Sequence, residues 1–196
     1  METKRLIVGI SGASAPIYGI RTLELLREVP DVETHLVYTR AAMKTIEVET
    51  DLSISDVRDL ADVRYEPEDI SAAISSGSFR TRGMIVAPCS MSSMACIAKS
   101  VTKDLLTRAA DVVLKERRTL VLLCRESPLH LGHLRRMAEL AEIGAHIAPP
   151  IPAFYHRPQT IDDLVNHSIG RALDLFGFEL PWMKRWSSPE ASGTGD

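Results

Sequence analysis

Aromatic residues are scarce in this chain, at 5% of the sequence, and only three of its 196 residues are cysteine. The cysteines, at positions 89, 96 and 124, form no CxxC pair. That argues against a disulfide-stapled scaffold and against a zinc site. The apolar run after Arg5 already stops at Gly9, which is too short for a membrane span or a signal-peptide core. We therefore expect a protein that is neither exported nor anchored and that works in a reducing cytoplasm.

An excess of positive charge is also missing, because the formal net charge is -3 at pH 7. Nucleic acids and anionic membranes are therefore poor candidate partners, and any anionic ligand must be held by local groups. With 45% hydrophobic residues, the chain can bury a sizeable core as one domain, which we expect to span residues 1–186. Residues 187–196 are rich in Ser, Gly and Pro, and we predict that they form a disordered tail.

Short β-branched apolar runs alternate with longer segments of helical period, a pattern typical of βαβ units and a parallel sheet. Pro88 is predicted to break the third strand. Ser127-Pro128 is predicted to cap a helix that ends before Gly144, and Thr160 to open the last helix. Strands are predicted over 6–10, 34–38, 84–87, 120–123 and 146–148, and helices over 16–28, 41–49, 53–60, 67–74, 104–117, 127–143 and 160–176, with another from 92.

The first loop that could carry chemistry is Gly9-Ile10-Ser11-Gly12-Ala13-Ser14, between a strand and a helix. Its small residues allow the backbone to approach a phosphate, and the start of the helix supplies N–H donors. The loop is neither GxGxxG nor a Walker loop, and no acidic residue ends the second strand to bind a ribose. These features favour a mononucleotide such as FMN over a dinucleotide. An ordinary tight turn explains the loop about as well.

Three further loops follow predicted strands, where ligands of an open parallel sheet bind. The hydroxyls of Pro88–Ser93 can bind a phosphate or simply cap a helix. Arg125 directly follows an apolar strand, so it points either at a ligand phosphate or at a structural carboxylate. Residues 154–158 place a phenol and cations in a loop stiffened by prolines, or form an ordinary surface turn.

Two metal-like signals are discounted. His130 and His133 lie three residues apart on a predicted helix, but no third ligand matches them. Asp162-Asp163 opens the last helix, where acidic residues favour the dipole, and it lacks the DDxxD spacing of magnesium diphosphate sites. Cys89 is interpreted as a small packed residue, because no histidine pattern suggests a nucleophile.

Taken in order along nearly the whole chain, these segments resemble the flavin prenyltransferase family, the UbiX type formerly described as aromatic acid decarboxylase subunits. The resemblance is carried by the runs LIVGISGAS at 6–14, ETD at 49–51, PCS at 88–90, RAADVVLKERR at 108–118, RESPL at 125–129 and PAFYHRPQTIDDL at 152–164.

The resemblance implies an α/β three-layer sandwich with a mostly parallel sheet, Rossmann-like or flavodoxin-like, assembled as a homo-dodecamer. The implied reaction joins a dimethylallyl group from dimethylallyl phosphate to N5 and C6 of reduced FMN without a metal. The product would be prenylated FMN, which is delivered to a UbiD-type decarboxylase. Whether that decarboxylase serves ubiquinone synthesis or acts on other aromatic acids stays open, as does the choice between monophosphate and diphosphate.

The resemblance also assigns roles to residues. FMN would be bound by Gly12, Ala13, Ser14, Thr39, Ser90, Met91, Ser92, Ser93 and Arg125. The prenyl donor would be bound by Tyr155, Arg171, Lys115 and Arg108. The catalytic residues would be Glu49, Glu126, Ser14 and Trp186, although the sequence does not assign the proton transfers to Glu49 or Glu126. Ala15-Pro16 departs from the family's usual Gly-Ala pair.

Two other functions stay open at this point. One is an FMN-dependent cysteine-type decarboxylase of a related flavoprotein family, although the chain lacks a Pro-x-Met-Asn motif and a histidine matching the catalytic base. The other is a non-enzymatic FMN carrier or decarboxylase accessory subunit.

Overall fold

The strands of the computed structural model, which describes residues 3–186, all pair in parallel. Each longer strand is followed by a helix, as the alternating sequence pattern predicts. The strands are β1 Lys4–Ile10, β2 Val32–Tyr38, β3 Val63–Arg64, β4 Gly83–Cys89, β5 Thr119–Cys124 and β6 Ala145–Ile147. The helices are α1 Ile17–Leu26, α2 Arg40–Glu49, α3 Ile54–Arg58, α4 Met91–Ala98, α5 Leu105–Lys115, α6 Leu131–Glu142 and α7 Ile161–Asp174.

The strand order across the sheet is β3-β2-β1-β4-β5-β6. This is the doubly wound Rossmann order, and without the two-residue β3 it reduces to the flavodoxin order. The predicted class, a three-layer α/β sandwich with a parallel sheet, is confirmed in both of its descriptions.

Successive side chains of β1 point to opposite faces of the sheet and belong to two apolar cores. Leu6 and Val8 pack with α1, α2, α3 and α7 on one face of the sheet. Ile7 packs with α4, α5 and α6 on the other. Because the central strands are covered on both faces, their residues read as continuous apolar runs.

The position of a site follows from this topology. From β1 the chain moves outward to β2 on one side, and β4 returns to pair with β1 on the other. The loops after β1 and β4 therefore leave the sheet in different directions and open a crevice at its carboxyl edge.

Three local predictions are wrong. Pro67 to Ile74 is not a helix: it forms turns that lead into a single 3-10 turn at Ala73–Ser75. The Asp69 carboxylate accepts hydrogen bonds from the backbone N–H and hydroxyl of Ser71. Such local side-chain bonds offer the backbone an alternative to a helix.

Pro88 does not end its strand, because β4 continues to Cys89 with a shift of register after Val86. An irregularity of this kind tolerates a residue that has no N–H to donate. Ser127-Pro128 does not cap α6 either. The helix begins three residues later, because His130 has extended backbone angles and its Nδ1 accepts the N–H of Gly132.

The other cap predictions are confirmed. Thr160 and Asp163 form a reciprocal capping box at the start of α7, as the capping interpretation of Asp162-Asp163 requires. Gly144, with a φ of 102°, follows the end of α6. No helix within residues 3–186 is long and apolar enough to cross a membrane. The predicted tail at 187–196 lies outside the described residues.

Close packing of α1 on β4 makes Gly19 a sensitive position. A Cβ there would collide with the carbonyl oxygen of Ala87 and would lie 2.6 Å from Cγ1 of Ile10. Alanine is favoured over glycine by about 1 kcal/mol within a helix, but overpacking against backbone costs about 1–3 kcal/mol. We expect Gly19→Ala to lower the free energy of unfolding in a denaturant titration. Gly132→Ala is the control, because its Cβ would meet the side chain of His130 and not a backbone carbonyl, and equal effects of the two substitutions would contradict the close approach.

Candidate active site at the carboxyl edge of the sheet

The Ser11 hydroxyl joins the two loops of the crevice. It donates to the carbonyl of Pro88 at 2.9 Å and accepts the backbone N–H of Ser90 at 2.7 Å. The backbone N–H of Ser11 also donates to the Pro88 carbonyl at 3.2 Å. Ser11 is fully buried, so the loops after β1 and β4 are held in one arrangement.

A cavity of about 420 Å³ opens beside this junction. Its volume lies in the range of small-molecule sites. The side chains of Thr39 and Ser90 cap α2 and α4, so two helix N-termini begin at the cavity wall. N-termini of this kind attract phosphate. Five of the predicted FMN-binding residues line the cavity: Gly12, Thr39, Ser90, Ser92 and Ser93.

Charged residues that the sequence reasoning missed also line this cavity. Arg40 pairs with Glu68, and the Lys103 ammonium lies 3.4 Å from the hydroxyl of Ser92. The Asp104 carboxylate caps α5 by accepting the backbone N–H of Thr107. Arg40 could have been found from the sequence, because it lies just after a predicted strand, where ligands of a parallel sheet bind.

The remaining predicted FMN-binding residues have different surroundings. Ala13 is buried, and Met91 is partly buried against the second core. The backbone N–H of Arg125 donates to Cys89, and its side chain is exposed. Within residues 3–186 no carboxylate lies within ion-pair distance of Arg125, which favours the ligand alternative over the structural one. Glu126 accepts the N–H of Ser127 and is also exposed.

Ser14 and Glu49, far apart in the sequence, meet at the start of α1. The Glu49 carboxylate accepts the Ser14 hydroxyl at 3.1 Å and the Ala15 N–H at 2.7 Å. Ala15 has a φ of 70°, which costs an L-residue about 1–2 kcal/mol. This left-handed conformation explains why a glycine suits the position.

A second cavity of about 340 Å³ lies between α7 and the loop after β6, beyond the end of β5. Tyr155 and Arg171 line it, and the ring of Trp186 meets the Tyr155 ring edge to face at 5.6 Å. The Arg171 guanidinium is 2.6 Å from Asp174, which also binds Arg185. These three groups leave a net positive charge at the cavity edge.

His167, which the sequence analysis did not single out, lies behind Tyr155. Its Nε2 is hydrogen-bonded to the Tyr155 hydroxyl at 2.8 Å. Burial lowers the pKa of His167, and positive charge on His156 and Arg171 lowers it further, against an opposing effect of Asp174. His167 could have been found from the sequence, because it lies four residues before Arg171 on an amphipathic helix and therefore on the same face.

Arg108 and Lys115 are not brought to either cavity within this chain. Arg108 binds Asp111 and the carbonyl of Ser75, and Lys115 pairs with Glu116. Helix α5 begins at the first cavity and runs away from it, so Lys115 lies about 16 Å along the helix from Asp104. Their contact with the prenyl donor stays a prediction, since neither residue lines a cavity of its own copy.

The discounted metal and thiol signals remain without a ligand set. The rings of His130 and His133 lie 3.7 Å apart, yet residues 3–186 contain no group of three His, Cys, Asp or Glu side chains suited to a metal. Cys89 and Cys124 are free and buried, which agrees with Cys89 as a packed residue.

Comparison with known proteins gives consistent matches. The flavoprotein family profile matches residues 1–172. The chain is 61% identical over 178 residues to the flavin prenyltransferase UbiX of Escherichia coli K12, covering 91% of this chain and 94% of that protein. This chain belongs to the flavin prenyltransferases.

Two solved structures share the fold and most of the chain. AnUbiX (PadA1), solved in complex with FMN and dimethylallyl pyrophosphate, is 48% identical with a TM-score of 0.93 and covers 96% of this chain and 100% of its own. A dodecameric FMN-dependent UbiX-like decarboxylase from E. coli O157:H7 is 52% identical with a TM-score of 0.91 and covers 93% and 99%.

The residues of the first cavity fit FMN. Two capped helix N-termini and the hydroxyls of Ser90 and Ser92 are donors of the kind that a phosphate and a flavin ring edge require.

The junction of the two loops predicts a stability effect. Ser11→Ala removes the side-chain donor to Pro88 and leaves the half-buried N–H of Ser90 without its acceptor, and an unsatisfied group of this kind costs about 1–3 kcal/mol. We expect the free energy of unfolding to fall by roughly 2 kcal/mol or more in a denaturant titration. Ser76→Ala breaks only an exposed bond to Ser78 and serves as the control. An unchanged midpoint for Ser11→Ala would contradict the role of this hydroxyl.

Proposed function

We propose that this protein transfers the dimethylallyl group of dimethylallyl phosphate to N5 and C6 of reduced FMN, forming prenylated FMN. The observation that carries the proposal is the convergence of Tyr155, Arg171 and Trp186. These residues are separated in the sequence, yet Tyr155 and Arg171 line one cavity beyond the sheet edge, and the Trp186 ring packs on that of Tyr155. They are also the residues that a donor of an allyl cation and a phosphate requires.

The charges suit the cleavage of an allylic C–O bond. The bond electrons leave with the phosphate, so cations stabilise the leaving group. Arg171, which lines the second cavity, supplies such charge without a metal, and Arg125 is the cation assigned to FMN. Trp186 offers an aromatic ring to the allyl cation; the ring is 69% exposed, so the attraction is worth about 0.5–1 kcal/mol and reaches about 2 kcal/mol only where bound ligands exclude water. Reduced FMN supplies the nucleophilic ring atoms.

Proton transfer falls to the acidic residues at the edge of the sheet. Glu49 is within hydrogen-bond reach of Ser14, and Glu126 directly follows Arg125. We propose that these carboxylates act as an acid toward the phosphate or as a base toward the flavin.

Arg108 and Lys115 join the site, we propose, from a neighbouring copy in a dodecamer. Both cations lie outside the cavities of their own chain, and Lys115 is about half exposed. The related E. coli O157:H7 protein is dodecameric. An assembly that places α5 of one copy over the crevice of the next would bring these cations to the donor phosphate.

We further propose that prenylated FMN is delivered to a UbiD-type decarboxylase. A modified flavin that leaves its site of synthesis needs a protein that uses it as a cofactor. The three thiols, free in the structure, are compatible with the reducing cytoplasm as the place of action.

The direct test is anaerobic incubation of the protein with FMNH2 and dimethylallyl phosphate, followed by mass spectrometry of the flavin. We expect a flavin heavier by one dimethylallyl unit, with the same yield in the presence of EDTA. Tyr155→Phe, which removes one hydrogen bond to a charged ligand, should lower kcat/KM for dimethylallyl phosphate on the order of tenfold or more. An unmodified flavin with the wild-type protein would contradict the proposal, and it would leave the carrier and decarboxylase alternatives.

Sharing of the site between copies predicts complementation. Glu49→Gln and Lys115→Met variants should each have low activity alone. Subunits of the two, mixed under conditions that allow exchange, should regain part of the wild-type rate, because some sites then combine an intact Glu49 with an intact Lys115. A mixture no more active than its components, with exchange verified by native mass spectrometry, would place Lys115 outside the shared site.

A further inference from the structure

Tyr155 stands on a loop and depends on neighbours for its orientation. It follows a proline-stiffened segment and is 40% exposed. Its ring meets those of His156, His167 and Trp186 edge to face, at 5.7, 5.3 and 5.6 Å. These contacts fix the ring plane but not the direction of the hydroxyl hydrogen.

Two groups within residues 3–186 lie within hydrogen-bond distance of the phenol. His167 Nε2 is at 2.8 Å, and the carbonyl oxygen of Lys184 is at 3.5 Å. The carbonyl can only accept. The imidazole can donate or accept at Nε2, depending on its tautomer.

The phosphate of the prenyl donor decides whether His167 must donate or accept a hydrogen bond. A phosphate offers hydrogen-bond acceptors, so Tyr155 has to donate its single O–H to the ligand. The phenol oxygen can then accept from His167 Nε2–H. Without the His167 N–H, the Tyr155 O–H can instead donate to the Lys184 carbonyl, which directs it away from the cavity.

The surroundings keep His167 in place. It is 6% exposed, on a long helix, one turn before Arg171. The ring of His156 stacks on it at 4.2 Å with an interplanar angle of 7°. A rigid helix therefore presents both the cation and the imidazole to the same cavity.

We propose that His167 is a positioning residue for the prenyl transfer: its Nε2–H holds the Tyr155 hydroxyl in the direction from which the phenol binds the donor phosphate. The inference rests on the proposed function and goes beyond it, because it assigns a role to a residue outside the family motifs quoted above.

The test compares two amides of nearly the same size. His167→Gln places an N–H near the position of Nε2, whereas His167→Asn ends about one bond length short of it. We expect Asn to lower kcat/KM for dimethylallyl phosphate on the order of tenfold and Gln to restore most of that loss. In the Tyr155→Phe background, Asn should cause no further loss, because the hydroxyl it acts through is already gone.

A buried histidine elsewhere provides the control. His35 is also hydrogen-bonded to a tyrosine, Tyr65, at 2.9 Å, but it lines neither cavity. His35→Phe should lower stability and leave kcat/KM unchanged. Should His167→Asn fail to fold, His167→Phe keeps the ring, removes the hydrogen bond and takes its place in the same comparison.

Each result decides a separate claim. A wild-type protein that forms no prenylated flavin would overturn the proposed function and this inference with it. With an active wild type, equal rates for Asn and wild type would overturn the role of His167 alone. The same follows if Asn lowers the rate of Tyr155→Phe by a further factor of ten, because the effect would then be structural and independent of the phenol.

Discussion

One buried hydroxyl, that of Ser11, carries the geometry on which the candidate site depends. The loops after β1 and β4 leave the sheet in opposite directions, and two hydrogen bonds through Ser11 hold them together at that point. The loop after β1 and the Ser90 cap of α4 are therefore presented to one crevice, beside the N-terminus of α2. A parallel sheet creates the opening, and this contact sets its shape.

The charge of the site is local, which reconciles a net charge of -3 with two phosphate-bearing ligands. Arg125 follows a strand and Arg40 begins a helix, where backbone N–H groups add to the positive field, whereas Arg171 lies in the last turn of α7. Two of the ten aromatic residues of the chain, Tyr155 and Trp186, are in contact beside the second cavity.

Much of the fold could be predicted from the sequence, because its signals are local. β-branched runs became buried strands, and Thr160 with Asp163 capped the last helix as expected. The failures arose where one side chain decided the backbone: Asp69 held a turn in place of a helix, and His130 displaced the start of α6.

The site could be predicted only in part. Residues directly after strands were found, because parallel strands end at one edge. His167 could not be found in this way, since its partner Tyr155 lies on a loop whose path depends on the whole fold. The Arg40–Glu68 pair also joins distant segments. The family resemblance assigns Lys115 to the prenyl donor, but Lys115 lines neither cavity of its own chain. We propose that the assembly of several copies explains this difference.

The most direct test of the account is a crystal structure of the protein with FMN and dimethylallyl phosphate together. The account predicts the flavin phosphate among Gly12, Thr39, Ser90 and Arg125, and the donor phosphate in contact with Tyr155 and Arg171. A flavin bound away from the crevice between the β1 and β4 loops, or a donor that touches neither Tyr155 nor Arg171, would contradict it.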